Sequence, residues 1–139
     1  MTADTRSIPQ RVPRMDFHAV LIMPEGGARE SLAVALWDVG MLVTVFGSVP
    51  QAEGVLVSEP VDVVLVDGTE LPGACAGLGN QLRAVGKSAC RVVELVGPDH
   101  AGTRGGAADQ AVRVRRPEHA AVFARQLAAF LGLQRGAWR

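Results

Sequence analysis

Tyrosine is absent from this sequence, which has four phenylalanines and two tryptophans. So few rings favour neither a stacking platform for nucleic-acid bases nor an aromatic binding cleft. Basic and acidic residues number 14 each, so charge predicts no direct nucleic-acid partner and no membrane partner. No apolar run approaches the roughly 20 residues that cross a bilayer, and the polar N-terminus lacks the apolar core of a secretory signal.

Cysteine is scarce as well. Cys75 and Cys90 are too few for a disulfide framework, which is typical of a reduced, cytoplasmic protein. His18, His100 and His119 have no metal-ligand spacing, which argues against a metal centre built on Cys and His. The sequence offers no pairing of a nucleophile with a base and no metal triad, so we assign no catalytic residues and do not expect an enzyme.

Apolar runs and helical stretches alternate along the chain. Hydrophobic residues make up 48% of the 139 positions, enough for one domain with a real core. The pattern predicts strands at 17–23, 41–47, 61–66, 90–96 and 111–114, and helices at 28–40, 48–60, 77–89 and 117–132. We expect a flexible leader at 1–15, a folded domain at 16–133 and a tail at 134–139.

This strict alternation of strands and crossovers predicts an α/β fold. Crossovers of this length require parallel strands with right-handed connections, so helices should cover both faces of a doubly wound, five-stranded sheet. In such a sheet a ligand or reaction site lies at the carboxyl ends of the strands.

Two of the predicted helices differ in quality. The crossover at 97–110 holds four glycines, each costing about 0.5–1 kcal/mol relative to alanine in a helix, so we expect the fourth helix to be short or irregular. The last helix has the clearest pattern. Pro117 is placed in its first turn, and Val122, Leu127, Phe130 and Leu131 are predicted to line one side.

The stretch VDVVLVDGTELPG, residues 61–73, puts the carboxylate of Asp67 at the end of a buried strand. The ends of the other strands should bring further residues to the same edge of the sheet, namely Pro24, Glu25, Val96, Gly97, Arg113, Arg115 and Arg116. Size, element order and this stretch resemble the receiver domain of bacterial response regulators over residues 17–132. The resemblance implies a flavodoxin-like sheet with strand order 2-1-3-4-5.

The resemblance also implies a site. Receivers accept a phosphoryl group from a histidine kinase on an aspartate after the third strand, which corresponds to Asp67. In receivers an acidic pair after the first strand helps to bind Mg²⁺ near this aspartate. The resemblance therefore implies Glu25, at the place of that pair, and Asp67 as metal ligands. Receivers also have a hydroxyl after the fourth strand and a lysine after the fifth, and both respond to the phosphoryl group. The metal and fixed cations neutralise the charge on the phosphoryl oxygens.

This sequence departs from that pattern at several positions. Pro24 and Glu25 stand where the acidic pair is expected, so one carboxylate is lost. Val96 takes the switch position and has no hydroxyl. The lysine is replaced by an arginine, Arg116 or Arg113 according to the alignment chosen, and either can pair with phosphate.

We therefore favour an atypical or degenerate receiver-like domain, a pseudo-receiver that acts through protein–protein interaction. Its partner would be a histidine kinase, an output domain or a second copy in a homodimer, and Mg²⁺ is the only cofactor implied. The first helix and the face formed by strand five and the last helix are the expected surfaces. Two alternatives stay open: a phosphoacceptor using Glu25, Asp67 and an arginine, and a small-ligand sensor using Gly26 and Gly27.

Overall fold

The strands and helices follow the predicted alternation. The computed structural model describes residues 14–87, 89–97 and 112–132, with side chains from Phe17 onward. The strands are β1 (Arg14–Ile22), β2 (Met41–Phe46), β3 (Val63–Asp67), β4 (Arg91–Val96) and β5 (Val112–Arg115). The helices in this part of the chain are α1 (Gly27–Asp38), α2 (Val49–Ser58), α3 (Leu78–Ala84) and α4 (Ala120–Phe130).

All five strands join one parallel sheet in the order β2-β1-β3-β4-β5. The central position of β3 follows from its sequence, since every residue from Val63 to Asp67 is buried and strands buried on both faces read as continuous apolar runs. The predicted doubly wound α/β fold, with strand order 2-1-3-4-5, is confirmed.

The core divides into two clusters because successive side chains of a strand point to opposite faces of the sheet. Leu21 and Leu65 join Leu36 of α1 on one face. Val20 and Val64 pack on the other face in a cluster that includes residues of α2 and α3. Helices therefore cover both faces of the sheet.

The termini of α1 and α2 have recognisable sequence causes. Gly40 follows α1 with a φ of 101°, a left-handed conformation that glycine adopts without a steric penalty. Ser48 caps α2 by accepting a hydrogen bond from the backbone N–H of Gln51 at 3.4 Å, and a proline occupies the first turn of that helix.

The predicted pattern of the last helix is partly wrong. The helix begins at Ala120, so Pro117 precedes it instead of lying in its first turn. Leu127 is buried as expected, but Val122 and Phe130 remain 43% and 56% exposed. Phe123, in contrast, is buried. The helix is apolar at most positions, so composition alone did not reveal which stripe faces the core.

Some boundaries differ from the sequence prediction or cannot be compared with it. Strand β1 begins at Arg14, two residues before the predicted start of the domain at 16. The expected short fourth helix lies within 97–110, of which only Gly97 is among the described residues. The remainder of the predicted leader and the tail also lie outside them. No described helix is long and apolar enough to cross a membrane.

Candidate functional site

Three strands deliver residues to one edge of the sheet. Asp67 is the last residue of β3, and it pairs in register with Leu95 of β4. Val96 ends β4, and its carbonyl oxygen accepts a hydrogen bond from the backbone N–H of Arg116 at 2.8 Å. The end of β5 is therefore fixed against the end of β4, beside Asp67.

The carboxylate of Asp67 is completely buried, with 0% of the residue exposed. Its Oδ1 atom accepts two hydrogen bonds from Thr69, one from the backbone N–H at 3.1 Å and one from the hydroxyl at 2.5 Å. This arrangement closes the turn after β3, as aspartate side chains commonly do two residues ahead in the chain. One oxygen of Asp67 is thus already occupied within its own loop.

The other oxygen, Oδ2, has no hydrogen-bond partner in the part of the chain that the structure describes. The cation paired with it is Arg116, whose Nη2 lies 3.6 Å away, too far for a good hydrogen bond. The same guanidinium donates from Nη1 to the hydroxyl of Thr69 at 3.1 Å and lies 3.6 Å from Glu70 Oε2. Asp67, Thr69, Arg116 and Glu70 therefore form one charged cluster, called the Asp67 cluster below.

The structure separates the two candidate arginines. Arg113 forms an ion pair with Glu94 at 3.1 Å, and the exposed Arg115 pairs with Glu118 at 3.5 Å. Arg116, the residue before Pro117, is therefore the candidate arginine that lies beside Asp67.

The other predicted site residues contribute little to this cluster. Val96 is buried and offers only its backbone carbonyl. Glu25 is exposed in the loop between β1 and α1. Within the described ranges, no group of three or more His, Cys, Asp or Glu side chains is arranged to hold a metal ion.

These residues do not fit Mg²⁺ as a ligand set. Mg²⁺ requires near-octahedral coordination by hard oxygen atoms. Oδ1 of Asp67 already accepts two hydrogen bonds, Oδ2 faces a guanidinium, and Pro24 has no side-chain oxygen. The predicted pairing of Glu25 with Asp67 as metal ligands stays a prediction, without support from this arrangement.

Three residues of the site were not predicted, namely Gly68, Thr69 and Glu70. Thr69 links Asp67 to Arg116, and Gly68 leaves room for Glu94, since a Cβ at position 68 would lie 2.5 Å from Glu94 Oε2. A signal for the backbone contact at Thr69 was present in the sequence, because an aspartate in a turn often accepts a hydrogen bond from the backbone N–H two residues on. No local pattern indicates the approach of Glu94, which belongs to another strand.

A cavity of about 470 Å³ lies between the β1–α1 loop and the β5–α4 loop. Its lining includes Gly27, Ser31, Arg116 and His119. Gly27 was one of two glycines proposed for a small ligand, and Gly26 does not line this cavity. The small-ligand alternative stays a prediction.

Comparison with solved structures agrees with the sheet topology. The crystal structure of a response regulator receiver protein from Burkholderia phymatum matches with a TM-score of 0.59, covering 84% of this chain and 95% of that chain. This chain has a receiver fold. Sequence identity over the match is 24%, so the likeness concerns the fold alone. No family model and no curated protein matches the sequence.

Proposed function

We propose that this receiver-fold chain is an atypical signalling domain that acts mainly through protein–protein contact, with phosphorylation of Asp67 impaired or absent. The observation that carries the proposal is the complete burial of Asp67 beneath Thr69 and Arg116. A receiver aspartate must instead present an oxygen to the phosphorus of its donor. The fold is thus retained while the carboxylate is engaged within the chain.

Phosphoryl transfer to a carboxylate depends on position and on neutralising charge. The attacking oxygen must lie in line with the leaving group, and cations must stabilise the equatorial oxygens. Oδ1 of Asp67 is held by Thr69, and an attack by Oδ2 would require the Arg116 side chain to move. Val96 supplies no side-chain donor that could bind an incoming phosphoryl oxygen.

The protein contact is proposed at the face formed by β5 and α4. Val112, Val122 and Phe130 are large apolar side chains exposed there. An apolar groove of about 180 Å³ runs between the two elements, with Val114, Phe123 and Phe130 among its lining residues. The partner would be a histidine kinase, an output domain or a second copy of this chain. The first helix offers a smaller alternative surface at Val34 and Trp37.

Acetyl phosphate provides a direct test. We expect no phosphoryl adduct by intact mass spectrometry after incubation with acetyl phosphate and Mg²⁺, because Asp67 is buried and lacks a metal-ligand set. A phosphorylation-competent receiver under the same conditions is the positive control. A stoichiometric adduct that disappears in Asp67→Asn would contradict the proposal and support the phosphoacceptor alternative.

A further inference from the structure

We infer that Arg116 is a resident cation that neutralises Asp67 without a divalent metal, with Thr69 as the bridging hydroxyl. The carboxylate of Asp67 would then be paired with a cation without Mg²⁺ and without phosphorylation. This inference deepens the proposed function and rests on it, because it gives the physical reason why the phosphorylation site would be inactive.

Burial makes a partner cation necessary. An ionised carboxylate that is removed from water is costly unless it is paired with an opposite charge or hydrogen-bonded. Asp67 is fully buried, and Arg116, with a side chain 33% exposed, is the cation beside it in the described chain. The guanidinium therefore reaches from the surface to a buried charge, and arginine suits this position because its planar fork of N–H donors can serve a carboxylate and a hydroxyl together.

Thr69 completes the cluster through the two roles of its hydroxyl. A hydroxyl carries one donor hydrogen and two acceptor lone pairs. Thr69 donates to Asp67 Oδ1 at 2.5 Å and accepts from Arg116 Nη1 at 3.1 Å. The loop after β3 thus supplies a hydroxyl to the carboxylate, whereas the end of β4, where Val96 lies, has none.

The same contacts disfavour a divalent cation. A guanidinium at 3.6 Å from Oδ2 repels a second positive charge at that oxygen. A metal at Oδ1 would have to displace both hydrogen bonds from Thr69. Binding of Mg²⁺ would therefore require the Asp67 cluster to open.

The cluster also holds neighbouring loops together. Arg116 directly follows β5, and its backbone N–H bonds to Val96 at the end of β4. Its side chain reaches Thr69 and Glu70 in the loop after β3. Removing the guanidinium would therefore release the connection between the β3 loop and the segment that leads into α4.

Metal titration of the wild-type protein tests the first half of the inference. We expect millimolar Mg²⁺ to leave the thermal midpoint unchanged relative to NaCl at equal ionic strength, because only a ligand that binds the folded state raises it. Mn²⁺ should not selectively broaden the NMR amide signals of Asp67 and Thr69. A Mg²⁺-specific rise in the midpoint, or selective broadening at these amides, would refute the resident cation.

Substitutions test the second half. Arg116→Gln should lower the urea midpoint clearly, whereas Arg125→Gln, at an exposed position of α4, should leave it nearly unchanged. Arg116→Lys keeps the charge, so its urea midpoint should lie between those of Arg116→Gln and the wild type. An Arg116→Gln midpoint equal to that of Arg125→Gln would overturn the inference.

If Arg116→Gln does not fold, Thr69 decides the question. Thr69→Val should lower the urea midpoint. Thr69→Ser should keep the midpoint close to the wild-type value, because serine retains the hydroxyl. Equal urea midpoints for Thr69→Val and Thr69→Ser would count against the bridging role. A phosphoryl adduct on the wild-type protein refutes the proposed function, whereas Mg²⁺ binding without an adduct refutes the resident cation alone.

Discussion

Gly68 lies between two carboxylates that have different partners. Asp67 precedes it and belongs to the Asp67 cluster, while Glu94 of β4 packs against it and pairs with Arg113. The backbone N–H of Gly68 also donates to the carbonyl of Leu95 at 2.7 Å. The absence of a side chain at this position therefore lets β4 carry an ion pair beside the buried aspartate.

We expect Gly68→Ala to destabilise the protein by about 1–3 kcal/mol, the usual cost of an overpacked contact. The new Cβ would meet Glu94 Oε2 at 2.5 Å and Cγ at 2.8 Å, so the Glu94 side chain, which pairs with Arg113, must shift. Gly54→Ala is the matched control, because nothing lies within 4 Å of its new Cβ. That change within α2 should stabilise the protein by about 0.5–1 kcal/mol.

Urea denaturation of the two variants gives the comparison. If Gly68→Ala were as stable as Gly54→Ala, the close approach of Glu94 would have no energetic consequence. A lowered midpoint for Gly68→Ala with a raised one for Gly54→Ala would match the expectation.

The sequence predicted the place of Asp67 but not its environment. A carboxylate after a continuous apolar strand must lie at the sheet edge, because the strand pattern fixes its position. The contact of Thr69 with Arg116 joins residues 47 positions apart. This contact depends on how the segment after β5 lies against the loop after β3. The sequence around Thr69 or Arg116 does not indicate that arrangement.

Helix α4 shows how an apolar composition can conceal the buried stripe. Phe123 and Leu127 are four residues apart and face the core, in accordance with helical spacing. Val122 comes one residue before Phe123, and Phe130 comes three residues after Leu127. Both remain exposed. These flanking positions are apolar too, so the assignment required the position of α4 against α1 and the sheet.

The two phenylalanines of α4 allow a matched test of this assignment. Phe123→Ala should cost about 3–5 kcal/mol, because it opens a cavity in the core shared with Leu127 and Leu65. Phe130→Ala should cost less than about 1 kcal/mol, since Phe130 is largely exposed and its ring faces the Arg91 guanidinium at 5.1 Å. Chemical denaturation measures both, and similar losses would contradict the assigned orientation of α4.

For the molecule as a whole, topology was the most predictable property. Five short strands separated by crossovers leave few arrangements, because parallel pairing and right-handed crossovers exclude the rest. The surface was harder to predict. The exposed apolar residues of β5 and α4 depend on which side of α4 packs inward, and that choice decides whether this face can bind a partner.

Self-association tests the β5–α4 face in the intact protein. Val122→Glu adds a charge at a 43% exposed apolar position of α4, whereas Val57→Glu does the same at a 57% exposed position of α2. A charge buried at an interface without a partner is costly, so Val122→Glu should weaken a homodimer and Val57→Glu should not. Sedimentation velocity over a concentration series measures the dissociation constant of each variant. Equal weakening of the homodimer by both changes would exclude the β5–α4 face as the specific contact. A wild-type protein that stays monomeric would exclude the homodimer and leave a kinase or an output domain as the proposed partner.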